Sequence, residues 1–307
     1  MAFSASESAF EGFRIVRREP VTVAIWAALL AVMSGGATVL LLPMFTQMRA
    51  GITPGATAPT AQSMAALGQL FRIYLLLLPL YLIVISVFMA AVYRAVLRPE
   101  QRGFGRLRLG GDELRIIGLI LLMGLLFMGV GLVVGIVGAL VGGGVAVATR
   151  SSGSAGAVII VLLMYLVVFA GMVWLGVRLS LAAPMTFARK RISLFGSWSL
   201  TKGRFWPLLG CYFLAWVLTI LILMVDLVVS GAFMLGAAGG DFSRVATAMF
   251  RPDAASAMTS LSPIFIIRLL VGAVFGVVMW TVTLAAPAAA YREIAAPRPE
   301  DQAETFA

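Results

Sequence analysis

Residues 222–230 read ILMVDLVVS and set one carboxylate, Asp226, inside a run of aliphatic side chains. A charge alone in hydrocarbon is costly, so such a group pairs or lines a water-filled path. The counter-charge within reach is Arg268, in the next apolar run. Asp226 lies about 12 residues before the end of its run and Arg268 about seven residues into the following one, so at about 1.5 Å of rise per residue their depths differ by roughly 7 Å. Thr219, Asp226 and Ser230 fall on one helical stripe. Arg268, Gly272, Gly276 and Thr283 fall on another, whose glycines allow a close approach. Two chemistries fit: a structural ion pair between Asp226 and Arg268, and a polar conduit or ligand site around them. Arg178 is the other arginine within an apolar run. Its long side chain can snorkel to headgroups, join a second interior pair or meet a phosphate.

Other chemistry is restricted by residue type. The chain has one cysteine, Cys211, and no histidine. All-cysteine and histidine metal centres, disulfide frameworks, histidine bases and histidine triads are therefore excluded. Cys211 sits in GCYF with no base beside it and reads as a structural thiol. Asp112 and Glu113 are adjacent, so on a helix they diverge and make a poor catalytic pair. The stretch GGGVAVA has no lysine and lies in an apolar run, which disqualifies it as a phosphate loop. The residue types call for no cofactor and no metal.

The elements that must hold these groups are apolar helices. Hydrophobic residues make up 61% of the chain and charged residues only 12%, against about 25% charged in an ordinary soluble domain. Six apolar runs, near 21–46, 73–97, 114–147, 157–187, 205–238 and 261–290, are each long enough to cross a bilayer. The first is too long for a signal-peptide core and reads as a retained helix. The expected fold is all-α: one polytopic membrane domain of six transmembrane helices, with a flexible tail over 294–307. Between the runs, 50–68 reads as an irregular loop with one short helical turn near its end, 150–156 as a tight turn, and 239–260 as a loop with room for a short surface helix before Pro252.

Charge distribution orients the runs. Of the 23 Lys and Arg residues, 16 fall in the N-terminal arm, the second and fourth connectors and the C-terminal tail, against five on the other side. By the positive-inside rule both termini are cytoplasmic, in a bacterial inner membrane. The formal charge of +10 belongs to these connectors. No basic run is interleaved with aromatics for base stacking, so nucleic acid is not an expected partner.

An internal pattern recurs before each odd-numbered run. FEGFRIVRREP (10–20), FGRLRLGGDEL (104–114) and FGSWSLTKGRF (195–205) align without gaps, matching Phe10, Phe104 and Phe195, then Phe13, Leu107 and Trp198. LAAP occurs at 181–184 and 284–287, followed by Phe187 and Tyr291. The expected arrangement is three tandem hairpins, about 10–98, 104–190 and 195–293, each with a short amphipathic lead-in at the membrane surface. Arg14, Arg17, Arg106, Arg108, Lys202 and Arg204 would then meet anionic lipid headgroups. The third run is punctuated by glycines, with Gly131 and Gly135 at close-packing spacing. With Gly272 and Gly276 they are expected to pack helices.

The stretches LRPEQRGFGRLRLGGDELR (97–115) and SWSLTKGRFWPLLG (197–210) resemble a group of uncharacterised alphaproteobacterial multi-pass inner-membrane proteins. More distantly they are similar to the membrane domain fused to some bacterial glycerophosphodiester phosphodiesterases. The likeness covers the helices and cytoplasmic connectors. It implies a polytopic helical fold and a lipid-related or membrane-organising role, without phosphodiesterase activity, which resides in a separate soluble barrel. The expected function is non-catalytic: scaffolding, binding of a membrane protein partner, or membrane organisation. The alternatives are a transporter or lipid-handling protein using the interior around Asp226 and Arg268, and, last, a membrane enzyme acting on lipid.

Overall fold

A computed structural model describes residues 4–50, 61–101, 103–148, 155–237, 239–243 and 263–295. All regular structure among them is helical. Six helices are long and apolar enough to cross a membrane, and the chain is a multi-pass membrane protein. The tail after 295, most of the loops over 50–68 and 239–260, and most of the turn at 150–156 lie outside the described residues. Residues 61–68, where a short turn was expected, instead begin a long helix.

Helix α1 (Ala5–Arg18) starts at Ser4, whose Oγ accepts the Glu7 amide, and ends in Arg17 and Arg18. Acid in the first turn and base in the last complement the helix dipole. Glu19 leaves helical geometry because the following Pro20 disfavours it there. Pro20 then opens α2 (Pro20–Ala50), where its missing amide hydrogen costs no bond. α3 (Ala61–Leu97) returns, and a 3₁₀ turn (Phe104–Arg106) leads to α4 (Gly111–Ala148).

The fourth apolar run, expected to be continuous, is divided into α5 (Ala155–Leu179) and α6 (Ala182–Arg189). Pro184 cannot donate to the carbonyl of Ser180, and the Ser180 hydroxyl turns back to the Val177 carbonyl at 2.8 Å. α7 (Gly196–Thr201), α8 (Phe205–Ala237) and α9 (Pro263–Ala295) complete the chain. Pro287 lies within α9 without dividing it.

α9 is the hub, packed against α1, α2, α3 and α8. α2 pairs with α3 and α8 with α9, whereas α4 and α5 touch only lightly. The most apolar windows of α4 and α5 have no buried residue. The main core gathers near the end where α1, the 98–110 connector and the C-terminus of α9 meet. Trp26, Tyr93, Ile116 and Phe187 pack there against Ala90, Ala91, Ala285 and Ala289. Lipid supplies no hydrophobic drive between helices, so close van der Waals contact at alanines and glycines must hold them. α1 crosses α9 closely: a Cβ at Gly12 would lie 2.4 Å from the Cα of Val282.

The three lead-ins adopt different local structures: a 14-residue helix, a 3₁₀ turn and a six-residue helix. α1 does not lie apart at a surface. It buries Ser8, Ala9, Glu11, Gly12 and Ile15 in the bundle.

Candidate functional site

The end of the bundle that gathers the arginines is built as a cap of ion pairs. Arg94, 3% exposed, forms an ion pair with Glu113 at the start of α4 and donates to the Arg106 carbonyl at 2.8 Å. Arg106 is itself 5% exposed. Its guanidinium grips Glu19, with Nε to Oε2 at 2.9 Å and Nη2 to Oε1 at 2.5 Å, and donates to the carbonyls of Pro99 and Gln101 at 3.2 and 3.0 Å. Gly105 and Arg106 both have positive φ, 56° and 55°. For arginine this costs energy, and the carboxylate and the two carbonyls hold it in place.

Arg98 reaches Asp112 at 3.7 Å and lies 4.8 Å over the Phe187 ring, tying α3 to α4 and α6. Asp112 also holds Arg115 at 2.7 Å. Glu11 of α1 accepts from Arg14 at 3.0 Å and from Arg292 of α9 at 3.2 Å. Glu293 accepts from the Ser4 amide and the Ser8 hydroxyl at 3.1 and 3.0 Å. Asp112 and Glu113 thus serve separate arginines, as their divergence on the helix requires.

Arg106 departs from its expected place among headgroups. The other nominated basic residues split by exposure: Arg14, Arg17, Arg108 and Lys202 are exposed, and Arg204 is half-buried. Arg178 joins no ion pair among the described residues. Its Cζ sits 5.6 Å from both the Trp174 and the Trp198 ring centroids, and Nη1 reaches the Thr201 hydroxyl at 3.5 Å. The two indoles stack edge to face at 5.0 Å and box the cation in.

Between the spans, Thr219 and Thr283 do meet, with hydroxyls 3.3 Å apart. Asp226 accepts from Ser230 at 3.3 Å. The expected pair with Arg268 is not among the ion pairs of the described residues. The reason is register. The threonine contact aligns α8 with α9, so seven residues on along α8 from Thr219 corresponds to seven back along α9 from Thr283. Asp226 is then level with Gly276, and Arg268 lies a further eight residues, roughly 12 Å, along the axis. Arg268 is exposed and has another interaction.

The nominated glycines also face elsewhere. A Cβ at Gly276 would meet Leu30 of α2 at 2.9 Å, while Gly131, Gly135 and Gly272 have nothing within 4 Å. Gly131 and Gly135 are therefore not packing positions among the described residues, whereas a Cβ at Gly138 on the same helix would meet Met164 of α5 at 3.6 Å. Cys211 is buried with Ala9, Ala215 and Ala286, consistent in place with a structural thiol. No cluster of three or more potential ligands for a metal occurs among the described residues.

Two concave features flank the α2–α3 seam. A cavity of about 520 Å³ in the cap is lined by Glu11, Arg14, Arg18, Glu19, Thr22 and Arg106, among others. A groove of about 250 Å³ runs along the spans between α2, α3 and α9, lined by Trp26, Leu29, Met33, Tyr81, Phe88 and Trp280, among others. Trp26 and Phe88 stack edge to face at 5.1 Å, and the Trp26 indole donates to the Gly105 carbonyl at 2.7 Å. Neither feature was anticipated. One sequence signal pointed to the cap: Glu11, Glu19, Asp112, Glu113 and Glu293 all flank the basic segments. No family model, curated protein or solved structure matches the chain.

Proposed function

We propose that this chain is a non-catalytic inner-membrane protein with a membrane-organising role, both termini cytoplasmic, whose basic end engages anionic headgroups of the cytoplasmic leaflet. The observation that carries the reading is the division of labour among the cations of the cap. The inward arginines, Arg94 and Arg106, are matched by carboxylates. Arg14, Arg17, Arg18, Arg189, Lys190 and Lys202 face outward. Each basic side chain near an anionic leaflet adds about 1 kcal/mol of attraction. The 16-to-5 split of Lys and Arg across the spans supports the same orientation.

The threefold hairpin repeat is part of this reading. Despite their different local structures, the lead-ins share an exposure pattern. Phe10, Phe104 and Phe195 are exposed; Gly12, Arg106 and Ser197 are buried; Phe13, Leu107 and Trp198 are half-buried. Each lead-in thus offers one aromatic side chain outward while the third position locks into the bundle. A polar conduit around Asp226 is the alternative reading, and it does not depend on an ion pair with Arg268.

Extraction of the protein with its surrounding lipid in polymer-bounded discs tests the proposal. The discs are expected to hold about twice the anionic lipid fraction of the bulk membrane, and R17Q/R108Q/K202Q to return that fraction toward bulk. A wild-type lipid composition equal to bulk overturns the reading.

A further inference from the structure

We infer that one phospholipid with an anionic headgroup binds along the α2–α3 seam, its phosphate in the basic cavity and one acyl chain in the groove beside it. The inference rests on the reading that the basic end faces a lipid leaflet, and it names the site and the ligand class. Thr22, Trp26, Leu29, Met33 and Ala37 recur along α2 at steps of three and four residues, so one face of the helix lines both features. On α3, Ala95, Phe88, Val84 and Tyr81 follow at steps of seven, four and three residues and likewise share one face. Cavity and groove therefore follow each other along one seam, with Trp26 at their junction.

Their dimensions and chemistry suit the two halves of a lipid. From Trp26 to Ala37 is 11 residues, about 16 Å of helix, close to the hydrocarbon depth of one leaflet in a core about 30 Å thick. The groove is lined almost wholly by apolar side chains, with the Ser34 hydroxyl and the polar tips of Tyr81 and Trp280 as exceptions. The cavity presents Arg14, Arg18 and Arg106 against Glu11 and Glu19. Glu11 is also held by Arg292, and Glu19 by Arg106. Arg18 is exposed and makes no ion pair among the described residues. The surplus is positive, and the first turn of α2, with the positive end of its helix dipole, borders the same space. That complements a phosphate whose headgroup carries no cation of its own. A zwitterionic headgroup would bring a second cation to a wall already rich in them.

Native mass spectrometry of the full chain in detergent, titrated with phosphatidylglycerol and phosphatidylcholine of matched chains, tests the site. The wild type is expected to retain one phosphatidylglycerol with at least fivefold preference. R14Q/R18Q should abolish the preference. A37F, which fills the groove and leaves the arginines in place, should lower phosphatidylglycerol occupancy at least fivefold. R72Q, exposed near the opposite end of α3 and outside both features, should change neither. S34F reads the same groove if A37F does not fold. A wild type without preference overturns the anionic-leaflet reading and the site with it. A preference untouched by R14Q/R18Q places the lipid elsewhere and overturns the site alone. Loss with R14Q/R18Q but full occupancy in both groove variants leaves a headgroup contact without an acyl site, which also overturns the composite.

Discussion

Arg106 shows how far one side chain can depart from what its neighbourhood suggests. In the string GRLRL it looks like an interfacial cation, equivalent to Arg108 two residues on. Its positive φ turns it inward instead, where it bonds Glu19 and the carbonyls of Pro99 and Gln101, while Arg108 is exposed. Removing one partner of a buried pair leaves a charge without compensation, at about 3–5 kcal/mol. R106Q and E19Q are therefore each expected to lower the thermal unfolding midpoint in detergent clearly, with R106Q/E19Q losing less than the two single losses combined. R108Q should stay within about 0.5 kcal/mol of wild type. Equal stability of R106Q and R108Q would contradict the buried role. Asp226 teaches the same lesson in reverse. A charge in an apolar run announces that it needs a partner, yet here the neighbouring Ser230 on its own helix answers part of that need.

Among the elements, α1 is where the lead-in picture changes most. Its amphipathic pattern suits a helix on a membrane surface, and the same pattern suits a helix laid on other helices. Gly12 decides between them, because its missing side chain lets α1 approach the backbone of α9 at Val282 and Thr281. A methyl there would sit 2.4 Å from Val282 Cα, so the two helices must part. G12A is expected to speed amide hydrogen exchange across residues 5–18 by tenfold or more, with exchange in α3 unchanged. Unaltered protection of α1 would mean that its salt bridges, not the crossing, hold it. The middle elements contrast with this. α4 and α5 bury their ends near the cap, at Ile116, Leu119, Val177 and Leu179, and leave their apolar lengths exposed.

For the molecule as a whole, connectivity and charge agree on one arrangement. The N-terminal helix, the connectors after α3 and α5, and the C-terminus of α9 all come together at the cap. Six alternating spans place both chain ends on one side. On the proposed orientation, reporter fusions active only in the cytoplasm should be active after residues 105 and 200 and inactive after 58 and 248. Activity at 58 together with silence at 105 would invert the topology and put the basic end on the opposite leaflet.

Span number, span length and the clustering of arginines at one end were determined by the sequence alone. The bilayer is an external template about 30 Å thick, so a one-dimensional count of apolar residues and connector charges reads it directly. Which residues touch depends on rotation and register between helices, and one residue of slip moves a side chain by about 1.5 Å and 100°. That is why Thr219 and Thr283 meet while Asp226 and Arg268 do not. It is also why Gly276 faces Leu30 of α2 rather than α8. The cap, the α1–α9 crossing and the seam between α2 and α3 join residues as far apart as Glu11 and Arg292, and only the folded chain brings such pairs together.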